Sequence, residues 1–186
     1  MLKIIIISSS VRINRKSHVV ASYFENYLLE NDLSDAEILD LKKYNFPLFN
    51  ERLRFQESPS PATLTFAEKV READGVIIVT PEYNGGYPAS LKNIIDLLTD
   101  EWRHKPVAIS TVSDGIFGGS QVITSLQFTL WKMKALTVPA MFPVPRVDDL
   151  FNKDGLPVDK SALDKRAASF IKELFKCITA AKAGPL

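Results

Sequence analysis

What most constrains the fold of this 186-residue chain is the alternation of short β-branched runs with longer segments of helical period. Residues 2–7 (Leu-Lys-Ile-Ile-Ile-Ile), 75–80 (Gly-Val-Ile-Ile-Val-Thr) and 106–111 (Pro-Val-Ala-Ile-Ser-Thr) are dominated by apolar side chains with no regular polar face. Runs of that kind suit strands buried on both sides, as in a parallel sheet. Residues 37–41 and 137–144 complete a set of five predicted strands, the last broken by Pro139 and Pro143 and so placed near a sheet edge. Between the strands, residues 17–31, 64–72, 89–98, 121–133 and 161–181 read as helices. The first of these carries Val19, Val20, Tyr23, Phe24, Tyr27 and Leu28 at helical spacing.

Strand–helix alternation of this regularity predicts an α/β fold, a parallel sheet with helices on both faces. Residues 1–186 are read as a single domain, long enough to bury a core without staples. The chain is too short for the two nucleotide-binding halves of a Rossmann domain. A five-stranded sheet of order 2-1-3-4-5, the flavodoxin-like three-layer sandwich, fits the length. Ligands of such sheets bind beyond the carboxyl ends of the strands, so the loops after strands one, three and four carry the interest.

Composition removes several classes of function. Twenty-three basic and 22 acidic side chains give a net charge of +1, which offers no general attraction to nucleic acid or to an anionic membrane. No segment approaches the roughly 20 apolar residues of a membrane span, and the run 4–7 is too short for a signal-peptide core. The one cysteine, Cys177, cannot form an intrachain disulfide and is read as helix packing. With only His18 and His104 beside it, no metal cluster is expected. A cytoplasmic protein is the expectation.

The first loop, Ser8-Ser9-Ser10-Val11-Arg12-Ile13-Asn14-Arg15-Lys16-Ser17, runs straight into a helix. A helix N-terminus presents unpaired N–H groups and partial positive charge, and neighbouring hydroxyls and guanidinium groups complete an anion site. Ser10, Arg12 and Ser17 are the candidate phosphate ligands, with Arg15 as a fourth. The same residues also suit a solvated basic turn in which Ser17 merely caps the helix. The position after the first buried strand favours phosphate.

The second loop, Pro81-Glu82-Tyr83-Asn84-Gly85-Gly86-Tyr87-Pro88, follows the third strand. Its prolines stiffen it, while its glycines let backbone approach a flat ring. In the third loop, 112–120, Ser113 and Gly115 are candidates for hydrogen bonds to a ring edge or a ribityl chain.

The stretch Pro81-Glu82-Tyr83-Asn84, continued by Pro88, Leu91-Lys92-Asn93 and Ile95-Asp96, resembles the signature of the NADPH-dependent FMN reductase family, which includes quinone, azo and chromate reductases. Ser9, Ser10, Arg12, Arg15 and Ser17 are similar to that family's Gly-Ser-x-Arg-x-x-Arg-x-Ser loop, with Ser9 in the place of its glycine. Phe46-Pro47-Leu48-Phe49 resembles its Pro-Leu segment after strand two, and Gly118-Gly119 its Gly-Gly element. The resemblance implies one FMN per subunit, with phosphate on Ser10, Arg12 and Ser17 and the ring on Pro81, Glu82, Tyr83 and Asn84. It further implies NADPH or NADH as electron donor, a small-molecule acceptor such as flavin, quinone or azo dye, and a homodimer or homotetramer. The flavin would carry the reaction, so no catalytic side chain is named. A non-enzymatic flavodoxin-type carrier and a flavin-binding regulatory protein share the fold. Against the carrier stand Arg12, Arg15 and Lys16 in the first loop and the lack of an acidic charge excess.

Overall fold

In a computed structural model, which describes residues 1–184, five parallel strands form one sheet of order β2-β1-β3-β4-β5. The strands are β1 (Lys3–Ser8), β2 (Asp35–Asp40), β3 (Gly75–Pro81), β4 (Pro106–Val112) and β5 (Leu136–Val144). Helices α1 (Ser17–Glu30), α2 (Leu41–Tyr44), α3 (Pro61–Glu72), α4 (Ala89–Leu97), α5 (Ser120–Lys132), α6 (Val147–Leu150) and α7 (Lys160–Lys182) connect and flank them. The expected order and the helices on both faces are what the chain adopts.

Side-chain alternation sorts the apolar runs onto two faces. Ile4, Ile6, Ile77, Val79 and Phe142 pack beneath α1 and α7, where Phe24 meets Phe142 and Phe170 at ring-centroid distances of 5.0 and 5.4 Å. Ile5, Ile7, Val76, Ile78 and Ile109 pack against α3, α4 and α5 through Phe66, Leu91, Ile94, Val122 and Leu126. Each such buried side chain contributes about 1.5–3 kcal/mol from its removal from water. Cys177 is half-buried on α7 against the first cluster, and burial pushes its thiol pKa up, in keeping with packing.

β5 is an edge strand, which lets it carry Pro139 and Pro143, with a register shift opposite Val107–Ile109. Two differences from the expected elements have local causes. α3 begins at Pro61 because Ser60 accepts the Thr63 N–H and proline suits the first helical position. Between β2 and α3 the chain forms two short helical pieces that were not expected, α2, capped by Asp40, and the 3-10 turn Leu53–Phe55. Among the described residues no helix is long and apolar enough to cross a membrane.

Candidate functional site

The carboxyl ends of β1, β3 and β4 bring their three loops around one cavity of about 370 Å³, a size usual for small-molecule sites. Arg12, Arg15 and Ser17 line it from the first loop, Pro81, Glu82 and Tyr83 from the second, Ser113 and Gly115 from the third. Ser10 is fully buried behind the wall, and Asn84 sits exposed at a turn tip; neither lines the cavity.

In the first loop Ser17 is not the helix cap. Lys16 occupies that position with helical backbone angles, no side chain caps α1, and its first turn holds no acidic residue. No side chain takes the first N–H groups of the helix, and of these that of Val19 turns back to the Lys16 carbonyl at 3.1 Å. Ser17 Oγ is buried and unpaired, as is Ser9 Oγ. A buried hydroxyl in that condition costs about 1–3 kcal/mol, which an acceptor entering the cavity would recover. Ser9 has no left-handed backbone angle, so a serine fits where the family has glycine. Its carbonyl accepts Ser90 Oγ at 2.6 Å, tying the loop to α4.

Arg12 and Arg15 behave differently. Arg12 is exposed, its guanidinium 5.7 Å from the Tyr83 ring centroid, within reach of a cation–π contact. Arg15 is nearly buried and engaged. Its two terminal nitrogens pair with the carboxylate of Asp40, Nη2 to Oδ2 at 2.6 Å, and Nη1 also donates to the Ser10 carbonyl at 2.7 Å. Beneath the loop, His18 Nδ1 lies 3.0 Å from Ser8 Oγ. Burial first, and then the Arg15 charge, hold the His18 pKa below the usual histidine value.

The second loop is a tight turn. Tyr83 and Gly86 exchange both backbone hydrogen bonds, at 2.8 and 3.1 Å, around Asn84 (φ 53°) and Gly85 (φ 79°). Two left-handed central residues with the sequence Asn-Gly make a type I′ turn. It presents the N–H groups of Asn84 and Gly85 at its tip. Tyr83 is anchored through its hydroxyl to Ser10 Oγ at 2.7 Å. Farther along the motif the roles are structural. Leu91 is core, Lys92 pairs with Asp96 one turn on, and Asn93 clamps the segment after β2 by accepting the Phe49 N–H at 2.6 Å and donating to the Pro47 carbonyl at 2.9 Å.

The third loop is tied to the chain after β5. The Ser113 N–H donates to the Val144 carbonyl, Val147 N–H to the Ser113 carbonyl and Arg146 N–H to the Gly115 carbonyl, at 3.0, 3.2 and 3.1 Å. That lacing places Val147 in the cavity wall. Gly119 (φ 75°) lies against the second loop. A Cβ there would stand 3.1 Å from Thr111 Cβ and 3.5 Å from Glu82 Cβ. At the rim, Lys16 Nζ bridges Asp114 (3.0 Å) and Asp148 (2.5 Å).

Asn14, Lys16, Asp114, Phe117, Gly119 and Val147 also line the cavity. Gly119 carried a signal as part of the Gly118-Gly119 element. Val147 carried none, because it reaches the wall through backbone bonds to a loop some 30 residues earlier.

The model of one family, NADPH-dependent FMN reductase, matches residues 2–149. The chain belongs to that family. Its similar relatives include an NAD(P)H-dependent FMN reductase of Schizosaccharomyces pombe, 33% identical over 143 residues, covering 75% of this chain and 70% of the relative. An NADPH azoreductase of a Bacillus species is 30% identical over 178 residues, covering 94% of this chain and 89% of its own. Among solved structures, the flavoenzyme NAD(P)H:(acceptor) oxidoreductase FerB of Paracoccus denitrificans superposes with a TM-score of 0.76 over 97% of this chain and 99% of its own, at 21% identity, a likeness of fold. A member of this family works with FMN and NAD(P)H.

The cavity fits FMN chemically. An uncapped helix N-terminus, the orphaned Ser17 hydroxyl and exposed Arg12 suit a phosphate. The wall from Pro81 to Tyr83, met by Gly119 where an added Cβ would crowd Thr111, suits a flat ring.

Proposed function

We propose that this NAD(P)H-dependent flavin oxidoreductase holds FMN in the cavity at the ends of β1, β3 and β4, with residues 1–186 forming a single flavin-binding domain. The observation that carries the placement is the buried, unpaired Ser17 hydroxyl at the start of a helix that no side chain caps. The α1 N–H groups, Ser17 Oγ and the Arg12 guanidinium take the phosphate. Pro81, Glu82 and Tyr83 border the ring, and Ser113 with Gly115 closes its far edge. Ser10 contributes from behind by fixing Tyr83, and Arg15 by fixing the loop.

When bound, FMN supplies the redox chemistry, taking hydride from NADPH or NADH and passing electrons to a small acceptor. The protein's part is to hold the phosphate end rigidly, to offer N–H donors to the ring edge and to leave one face open. Glu82, Asp114 and Asp148 on or beside the rim keep local charge mixed, so the cations there guide anionic ligands without making a general polyanion surface. We further propose a cytoplasmic homodimer or homotetramer. Phe117, Phe128 and Trp131, at 75%, 61% and 64% exposure, support an association surface.

Anaerobic absorbance spectroscopy tests this reading. FMN bands near ~450 nm that shift on adding protein and bleach on adding NADPH are expected. Protein that leaves the FMN spectrum unchanged refutes the placement, and bound flavin that NADPH does not bleach refutes the reductase activity.

A further inference from the structure

Asp40 ends β2 and is not part of the cavity wall, yet three hydrogen-bonded links connect it to Tyr83. Its carboxylate takes both terminal nitrogens of Arg15, with 3% of the aspartate and 11% of the arginine side chain exposed. Its Oδ1 also accepts the Lys42 N–H at 3.0 Å, which fixes the carboxylate plane. Arg15 Nη1 then donates to the Ser10 carbonyl at 2.7 Å. Ser10 Oγ stands 2.7 Å from Tyr83 Oη and accepts the Arg12 N–H at 3.3 Å. The chain Asp40–Arg15–Ser10–Tyr83 thus joins the ends of β2, β1 and β3. A guanidinium whose fork is filled by a buried carboxylate and a backbone carbonyl does not also offer that fork to a phosphate.

We infer that Asp40 is a positioning residue for flavin binding, acting through Arg15 and Ser10 to set the backbone at Arg12 and the ring of Tyr83. This rests on the placement of FMN proposed above. Arg15 is the strut of the first loop, and Arg12 is the arginine that meets the phosphate. Removing the Asp40 charge leaves Arg15 without its anchor, so Ser10 loses its fixed position and Tyr83 its partner.

The test is a double-mutant cycle on FMN affinity, read by quenching of flavin fluorescence. Asp40→Asn is expected to weaken FMN about tenfold, the scale of one charge-assisted hydrogen bond. Tyr83→Phe alone weakens it by about threefold, the scale of a neutral one. The double variant binds no worse than Asp40→Asn, and Asp40→Glu recovers most of the loss. Multiplying effects in the double variant, or no recovery with glutamate, overturn the proposal, since a merely structural carboxylate gives those results. Should Asp40→Asn fail to fold, Ser10→Ala cuts the hydroxyl link while sparing the buried pair. It must then match Tyr83→Phe and add nothing to it; additive losses overturn the relay. Wild-type protein that binds no FMN removes the cavity reading and the relay together. Wild-type binding that Arg12→Ala weakens, combined with multiplying effects in the Asp40 cycle, removes the relay alone.

Discussion

Ser17 sits where helix stability alone would not place an unpaired hydroxyl, buried in the first turn of α1 with nothing to bond. Replacing it with alanine should leave the apoprotein as stable as the parent, or slightly more so, because a desolvated polar group is removed. The same change should weaken FMN about tenfold. A lower melting temperature with unchanged FMN affinity would make Ser17 structural instead. Arg12→Ala should weaken FMN by about 1.5–3 kcal/mol in the same titration, the range for hydrogen bonds to charged groups; unchanged affinity takes Arg12 out of the site. His18, its pKa lowered by burial and the Arg15 charge, gives a pH dependence whose sign is fixed. Its folded pKa lies below its unfolded one, so the unfolded chain takes up the proton first. Stability should therefore fall as pH drops below about 6.5 and level off once pH is below the folded value. Urea midpoints of the apoprotein between pH 7.5 and 5 should show that slope, and His18→Gln should flatten it.

At the scale of elements, the loops are rigid because each has a backbone reason for its path. Gly119 is the clearest case, with φ 75° and a Cβ contact of 3.1 Å to Thr111 awaiting any side chain there. Gly119→Ala should cost about 1–2 kcal/mol from the left-handed backbone alone, more with the contact added, and should weaken FMN by pushing the third loop from the second. Thermal melts and flavin titration together check this; full stability and affinity in the variant would mean the loop has slack. These loops also show what the sequence could disclose. The type I′ turn was implicit in Asn84-Gly85, and β1, β3 and β4 in their apolar runs. The destination of Arg15 was not, since its partner Asp40 is 25 residues away and meets it only because β2 lies beside β1. Nor was α6, four residues whose place is set by the lacing of 113–115 to 144–147.

At the scale of the molecule, the 2-1-3-4-5 sheet makes the site by topology. The chain leaves β1 toward one edge and returns through β3 toward the other, which opens a crevice between their loops. Length and alternation were enough to read this architecture. Its polar wiring was not, because it is made almost wholly of contacts distant in sequence. The central claim, that the cavity seizes FMN by its phosphate at the α1 N-terminus, is tested most directly by titrating the protein with FMN and with riboflavin under the same conditions. Two or more charge-assisted hydrogen bonds at about 1.5–3 kcal/mol each should make FMN bind at least about a hundredfold tighter. Equal affinities for the two flavins would contradict the claim, because the phosphate would then contribute nothing.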